Sequence, residues 1–181
     1  GCSSFNQPLN KWDVSSVARK PGGGCCQGMY KMFHGATIFS QDLSGWCVTN
    51  ISTQPHMFAH ASALSSTQIP VWGTCPPPNY NPNNASVNTT SPGLGCLVCD
   101  QYASGETFSL DGGTTWYTAV DRNLLNTMRD NGDDLSKVCV SLVSDFSTLF
   151  EKETTFNQDI SAWDVSNAVT MSRMFAEADA F

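Results

Sequence analysis

The chain has 181 residues, a formal charge of −7 and 14% charged residues, which bounds it to one or two small modules. Arg19-Lys20 is the only basic cluster, too small to neutralise a run of phosphates, and nucleic acid is excluded as a partner. The longest apolar runs are a handful of residues, far short of a membrane span.

Residues 1–75 read as the end of a repeat array. Phe5-Asn-Gln-Pro-Leu-Asn-Lys-Trp12-Asp-Val-Ser opens it, and Phe39-Ser-Gln-Asp-Leu-Ser-Gly-Trp46-Cys-Val-Thr is a looser copy. Met32, Phe33, Ala36 and Phe39 recur 25 residues later as Met57, Phe58, Ala61 and Leu64, and a degenerate turn runs from Leu64 to Trp72. The glycine-rich stretch from Ala18 to Gly28 adds residues without losing register, as a surface loop does.

Residues 76–99 break the pattern. Pro76, Pro77 and Pro78 lead a polar tract, read as an extended linker bracketed by cysteines that would tether its ends. Residues 100–142 form a different unit. Thr107–Leu110 and Thr115–Val120 predict a β-hairpin around Asp111-Gly112-Gly113. Asp121 then caps a helix bearing Leu124, Leu125 and Met128, ended by Asn131-Gly132. Lys137–Val143 predicts a strand, and the unit would cover the first core layer of a second array.

Residues 143–181 begin that array with the third copy, Phe156-Asn-Gln-Asp-Ile-Ser-Ala-Trp163-Asp-Val-Ser. Val143, Phe146, Leu149, Phe150 and Phe156 recur as Ala168, Met171, Met174, Phe175 and Phe181. Met171, Met174, Phe175, Ala178 and Phe181 follow the spacing of one helix face. The Trp-Asp-Val-Ser-Asn tract suits a short strand entered from a turn. The fold class expected is therefore an α/β solenoid, each turn a short strand, a short helix and a return loop, with a small α+β cap unit and a Pro-rich, disulfide-bracketed linker. The array starts and stops in mid-repeat, so a window of a longer chain is expected.

FNQDISAWDVSN and MSRMF resemble the repeats of BspA-like surface proteins, a domain family called DUF285 and related to leucine-rich repeats. The stretch from Gly105 to Phe156, including WYTAVDRNLL and LVSDFSTLFEKETTFNQDI, resembles the segment that opens such arrays. The resemblance implies leucine-rich-repeat-like turns and a cell-surface location. Adhesion is the role it implies for those members that have one.

Eight cysteines, Cys2, Cys25, Cys26, Cys47, Cys75, Cys96, Cys99 and Cys139, form no ordered metal pattern and predict disulfides in an oxidising compartment. Their pairing is open. Cys96-Leu-Val-Cys99 is half a zinc site without its second half. Asn50, Asn84 and Asn88 head N-glycosylation sequons. Asp130-Asn131-Gly132-Asp133-Asp134 is the best calcium candidate, but it lacks EF-hand spacing and a closing Glu, and a helix-ending turn explains it equally well. His56 and His60 have metal-binding spacing without the Glu of a zincin motif. Asp13 and Asp164 recur at one slot, as turn-forming residues do, so a hydrolase pair is rejected. The reading is an extracellular structural or adhesive protein, not an enzyme and without a cofactor, whose partners are other copies of itself, neighbouring modules or a surface protein or glycan. The alternative is a discrete module that binds a protein or glycan ligand.

Overall fold

The computed structural model describes residues 8–18, 28–60, 62–75 and 97–178. The regular elements lie in one stretch: β1 (Thr107–Phe108), β2 (Tyr117–Ala119), α1 (Arg122–Asn131), a 3-10 turn (Leu135–Lys137) and β3 (Val138–Cys139). β1 pairs antiparallel with β2, Phe108 opposite Tyr117, and β2 pairs parallel with β3, Ala119 opposite Cys139. The parallel pair needs a crossover, and α1 supplies it.

α1 begins and ends where the residues dictate. The Asp121 carboxylate accepts from the Leu124 N–H at 2.9 Å, satisfying an amide that the first turn leaves open. Gly132 ends the helix at φ 76°, a left-handed value that a side chain disfavours. Leu125 is fully buried, and Leu124 and Met128 pack against the main core.

The expected α/β solenoid does not form. Among the described residues there is one three-stranded sheet and one α-helix, and the rest is turns and coil. The predicted helix over Met171–Phe181 is a run of turns through Ala178, with Phe181 outside the described residues. Arg173 and Glu177 have positive φ, 58° and 56°, which no right-handed helix contains. Their N–H groups donate to Tyr30 and His34 rather than back along their own segment. The expected Trp163–Asn167 strand reduces to an isolated bridge between Trp163 and Leu97.

The spacing of the apolar residues reports hydrogen bonding between these turns. Phe146, Thr148, Phe150 and Lys152 donate to the carbonyls of Thr170, Ser172, Met174 and Ala176. Met171, Arg173, Phe175 and Glu177 donate in turn to Gly28, Tyr30, Met32 and His34. Lys31, Phe33 and Gly35 donate to His56, Phe58 and His60. The row 171–177 is thus followed in space by 28–35, so the stretches on either side of the linker pack into one core. Phe150, Phe175 and Phe33 stack through it, with centroids 5.6 and 5.7 Å apart.

The three tryptophans occupy matching places. Each is buried, and each indole N–H donates to a carbonyl of the preceding row: Trp163 to Leu135 at 3.0 Å, Trp12 to Ile160 at 3.3 Å and Trp46 to Leu9 at 3.0 Å. Register slips once. Thr148 and Arg173 share one positive-φ slot, as do Lys31 and Met57, but the second pair is 26 apart rather than 25. The extra residue lies between Ile51 and Met57. Phe58, not Met57, therefore fills the buried slot of Met32, and Met57 is only half-buried.

Candidate functional site

Two disulfides are formed among the described cysteines. Cys47 joins Cys75 with Cα atoms 4.1 Å apart, and Cys99 joins Cys139 at 6.2 Å. The bracketing cysteines therefore do not tie the linker's ends together. Each anchors its own flank instead. Cys99 is committed to Cys139, which removes it from any zinc site with Cys96. Cys2, Cys25, Cys26 and Cys96, the glycine-rich loop from 19 to 27 and the sequons at Asn84 and Asn88 lie outside the described residues.

Asn50 is exposed, and its Nδ2 donates to Ser15 O at 2.7 Å. Asn167 makes the matching bond to Ser141 O at 2.9 Å. The sequon side chain thus sits on the surface while joining two rows. A glycan on Nδ2 would leave one N–H for this bond.

The candidate metal residues serve turns and stacks. His56 stacks on Tyr30 at 6.0 Å and His60 on His34 at 5.4 Å, each along its own column. They flank an open groove of about 430 Å³ at the end of the rows, lined also by Met57, Leu64 and Ile69. Asp130 pairs with Arg129 at 2.7 Å. Asp134 caps the 3-10 turn, and the Ser136 hydroxyl followed by Lys137 holds its carboxyl below the usual range. Asp13 and Asp164 accept from the N–H groups of Ser15 and Ser166 at 3.0 and 3.1 Å, the turn role their recurrence predicts.

Two features escape a reading of the sequence. The first row, 146–152, points its carbonyls away from its neighbour, toward α1. Arg122 donates to the carbonyls of Asp145 and Ser147 at 2.8 and 2.7 Å, and Arg129 donates to that of Leu149. The helix therefore caps the row with two guanidinium groups. The second feature is the hairpin tip. Asp111 Oδ1 accepts from the N–H groups of Thr114 and Thr115 at 3.0 and 2.8 Å and from the Ser109 hydroxyl at 2.8 Å. The Thr115 N–H is the main cause that holds this carboxyl down to about 2. This fixed turn presents Trp116, 57% exposed, with its Nε1 donating to Gly113 O at 3.1 Å, and Leu110, which precedes the turn, is also exposed. An aromatic plane held in water on a hydrogen-bonded turn is a contact element at low ordering cost.

A family model described as "Mycoplasma protein of unknown function, DUF285" matches residues 1–82 and 119–181. The chain belongs to the DUF285 family. The matched stretches of this DUF285 protein are those that supply the hydrogen-bonded rows, while the hairpin with Trp116 falls between them. No curated protein and no solved structure matches it. No helix among its described residues is long and apolar enough to cross a membrane.

Proposed function

We propose that this DUF285 protein is an extracellular structural or adhesive protein, of the BspA-like surface type, that acts by contact rather than catalysis. The observation that carries the reading is where its polar side chains direct their donors. Trp12, Trp46, Trp163, Asn50, Asn167 and Arg122 all donate to backbone carbonyls of neighbouring rows. These groups tie one row to the next instead of converging on a reacting atom. Two disulfides support an oxidising compartment. Glycans at Asn50, Asn84 and Asn88 and end-to-end assembly into fibres belong to the same proposal.

Antibody labelling of intact and permeabilised source cells tests location, and glycopeptide mass spectrometry tests the sequons. Labelling confined to permeabilised cells, with no glycan at any of the three, refutes the reading. One observation favours the alternative of a discrete binding module. Trp116 stands out of the core on a fixed turn, suited to stacking on a sugar ring or a protein side chain. A glycan array or pull-down with saturable selectivity, lost in Trp116→Ala, would decide for it.

A further inference from the structure

The joint between row 171–177 and row 28–34 is where two distant parts of the chain meet. Four backbone bonds cross it, from Met171, Arg173, Phe175 and Glu177 to Gly28, Tyr30, Met32 and His34, and a fifth runs from Ala18 to Val169. The Trp12 indole reaches Ile160 across the same joint, and Phe175 stacks on Phe33 and Trp12. Neither disulfide among the described residues spans it: Cys47–Cys75 lies wholly on one side and Cys99–Cys139 on the other. Residues 76–96 connect the two sides in sequence. Fully extended they reach at most about 70–75 Å, enough to return within one chain or to cross to another.

We propose that this joint also forms between two copies, the 28–34 row of one chain seating on the 171–177 row of a second with the same bonds. The occupant is fixed by the surface itself. Row 171–177 offers alternating N–H groups beside Phe175, and row 28–34 offers the matching carbonyls beside Phe33. Any chain that carries one face carries the other. Reciprocal exchange between two chains closes a dimer, and sequential exchange extends an open chain. A tether of this length favours the closed monomer until protein concentration approaches the effective concentration it imposes, on the order of millimolar. Exchange therefore rises with concentration during folding. The inference deepens the self-association in the proposed function and does not depend on adhesion, location or glycans.

The structure supplies the probe. A Cβ at Gly35 would lie 3.7 Å from Glu177 Cα, across the joint. Gly35 has φ 73°, but Lys152 and Glu177 hold the matching slot in other rows with φ 63° and 56°, so a side chain is accommodated there. Full-length G35C and E177C chains are mixed, unfolded and refolded together in a thiol–disulfide buffer over a range of concentrations, and linked peptides are mapped by mass spectrometry. The expected result is a 35–177 linkage within disulfide-bonded dimers, its yield rising at least several-fold over a tenfold increase in concentration. The double variant G35C/E177C, refolded dilute, should carry the same linkage inside the monomer. If the double variant links and the mixed single variants never do, exchange is refuted. If neither links, the joint itself is wrong and the inference falls with it. Closed dimers without longer species leave exchange standing and remove only the fibre from the proposed function.

Discussion

Arg122 offers the sharpest test of how the rows are terminated. Its guanidinium forks onto the carbonyls of Asp145 and Ser147 at 2.8 and 2.7 Å, at the edge where no further row follows among the described residues. Burial pushes its pKa down, with Asp145 opposing, yet a guanidinium stays charged across the accessible pH range. Arg122→Met keeps the packing of the stem and removes both bonds. A bond from a charged donor contributes about 1.5–3 kcal/mol when shielded from water. The Asp145 carbonyl is exposed enough to recover a water, while the Ser147 carbonyl is partly shielded. The expected net loss is about 2 kcal/mol, or about 4–8 °C in Tm for a chain of this size. Arg122→Lys supplies a single point charge that cannot fork, and should recover about half. Urea unfolding with the disulfides intact, followed by far-UV circular dichroism, reads both values. A Met variant within about 0.5 kcal/mol of the parent would show that the Asp145 and Ser147 carbonyls are satisfied by water, and a Lys variant equal to Arg would show that the fork adds nothing to a point charge.

Three further outcomes are expected. Trp12→Phe, Trp46→Phe and Trp163→Phe should each lose roughly 2–3 kcal/mol, for the lost N–H bond and the cavity together; one neutral member would break their equivalence in a denaturation series. Cys47→Ala and Cys99→Ala open loops of 28 and 40 residues, and chain entropy puts each loss at about 3.5–4 kcal/mol, measured as a Tm difference between oxidised parent and variant that disappears when both are reduced. For Asp111 the folded pKa of about 2 lies below the ordinary aspartate value of 3.8, so the carboxylate's hold on the turn is full above about pH 4 and lost as pH falls through about 2. Trp116 emission should change across that window, and Asp111→Ala should remove the step.

Much of the core was legible in the residues. Apolar spacing picks out the rows, the tryptophan blocks identify matching slots, and Asp121 with Gly132 marks the ends of α1. The helical reading of Met171, Met174 and Phe175 failed because the same spacing also serves a turn. What breaks the helix is a left-handed residue at Arg173 and Glu177, and neither side chain announces that conformation. The extra residue before Met57 was hidden by the chance alignment of Met57 and Phe58 with Met32 and Phe33. The guanidinium caps and the 171–177 to 28–34 joint were invisible for a different reason. They depend on which row follows which in space, and local sequence carries no record of that order. The candidate site fared likewise: Asn50 was legible as a surface position, whereas its bond to Ser15 and the exposure of Trp116 were not.

The rows 146–152, 171–177 and 31–35 hand their amide hydrogens the same way, toward His60. One flank of these rows is consequently rich in carbonyl oxygen and quenched by Arg122 and Arg129, while on the opposite flank the N–H groups of Met57 and Ala59 donate to no further row among the described residues. Such a body has a north and a south. Two copies brought together by their donor flanks would oppose hydrogen to hydrogen, so a mirror-like pairing through that end is chemically mute. Whatever segment pairs with that edge must present it with carbonyl oxygen.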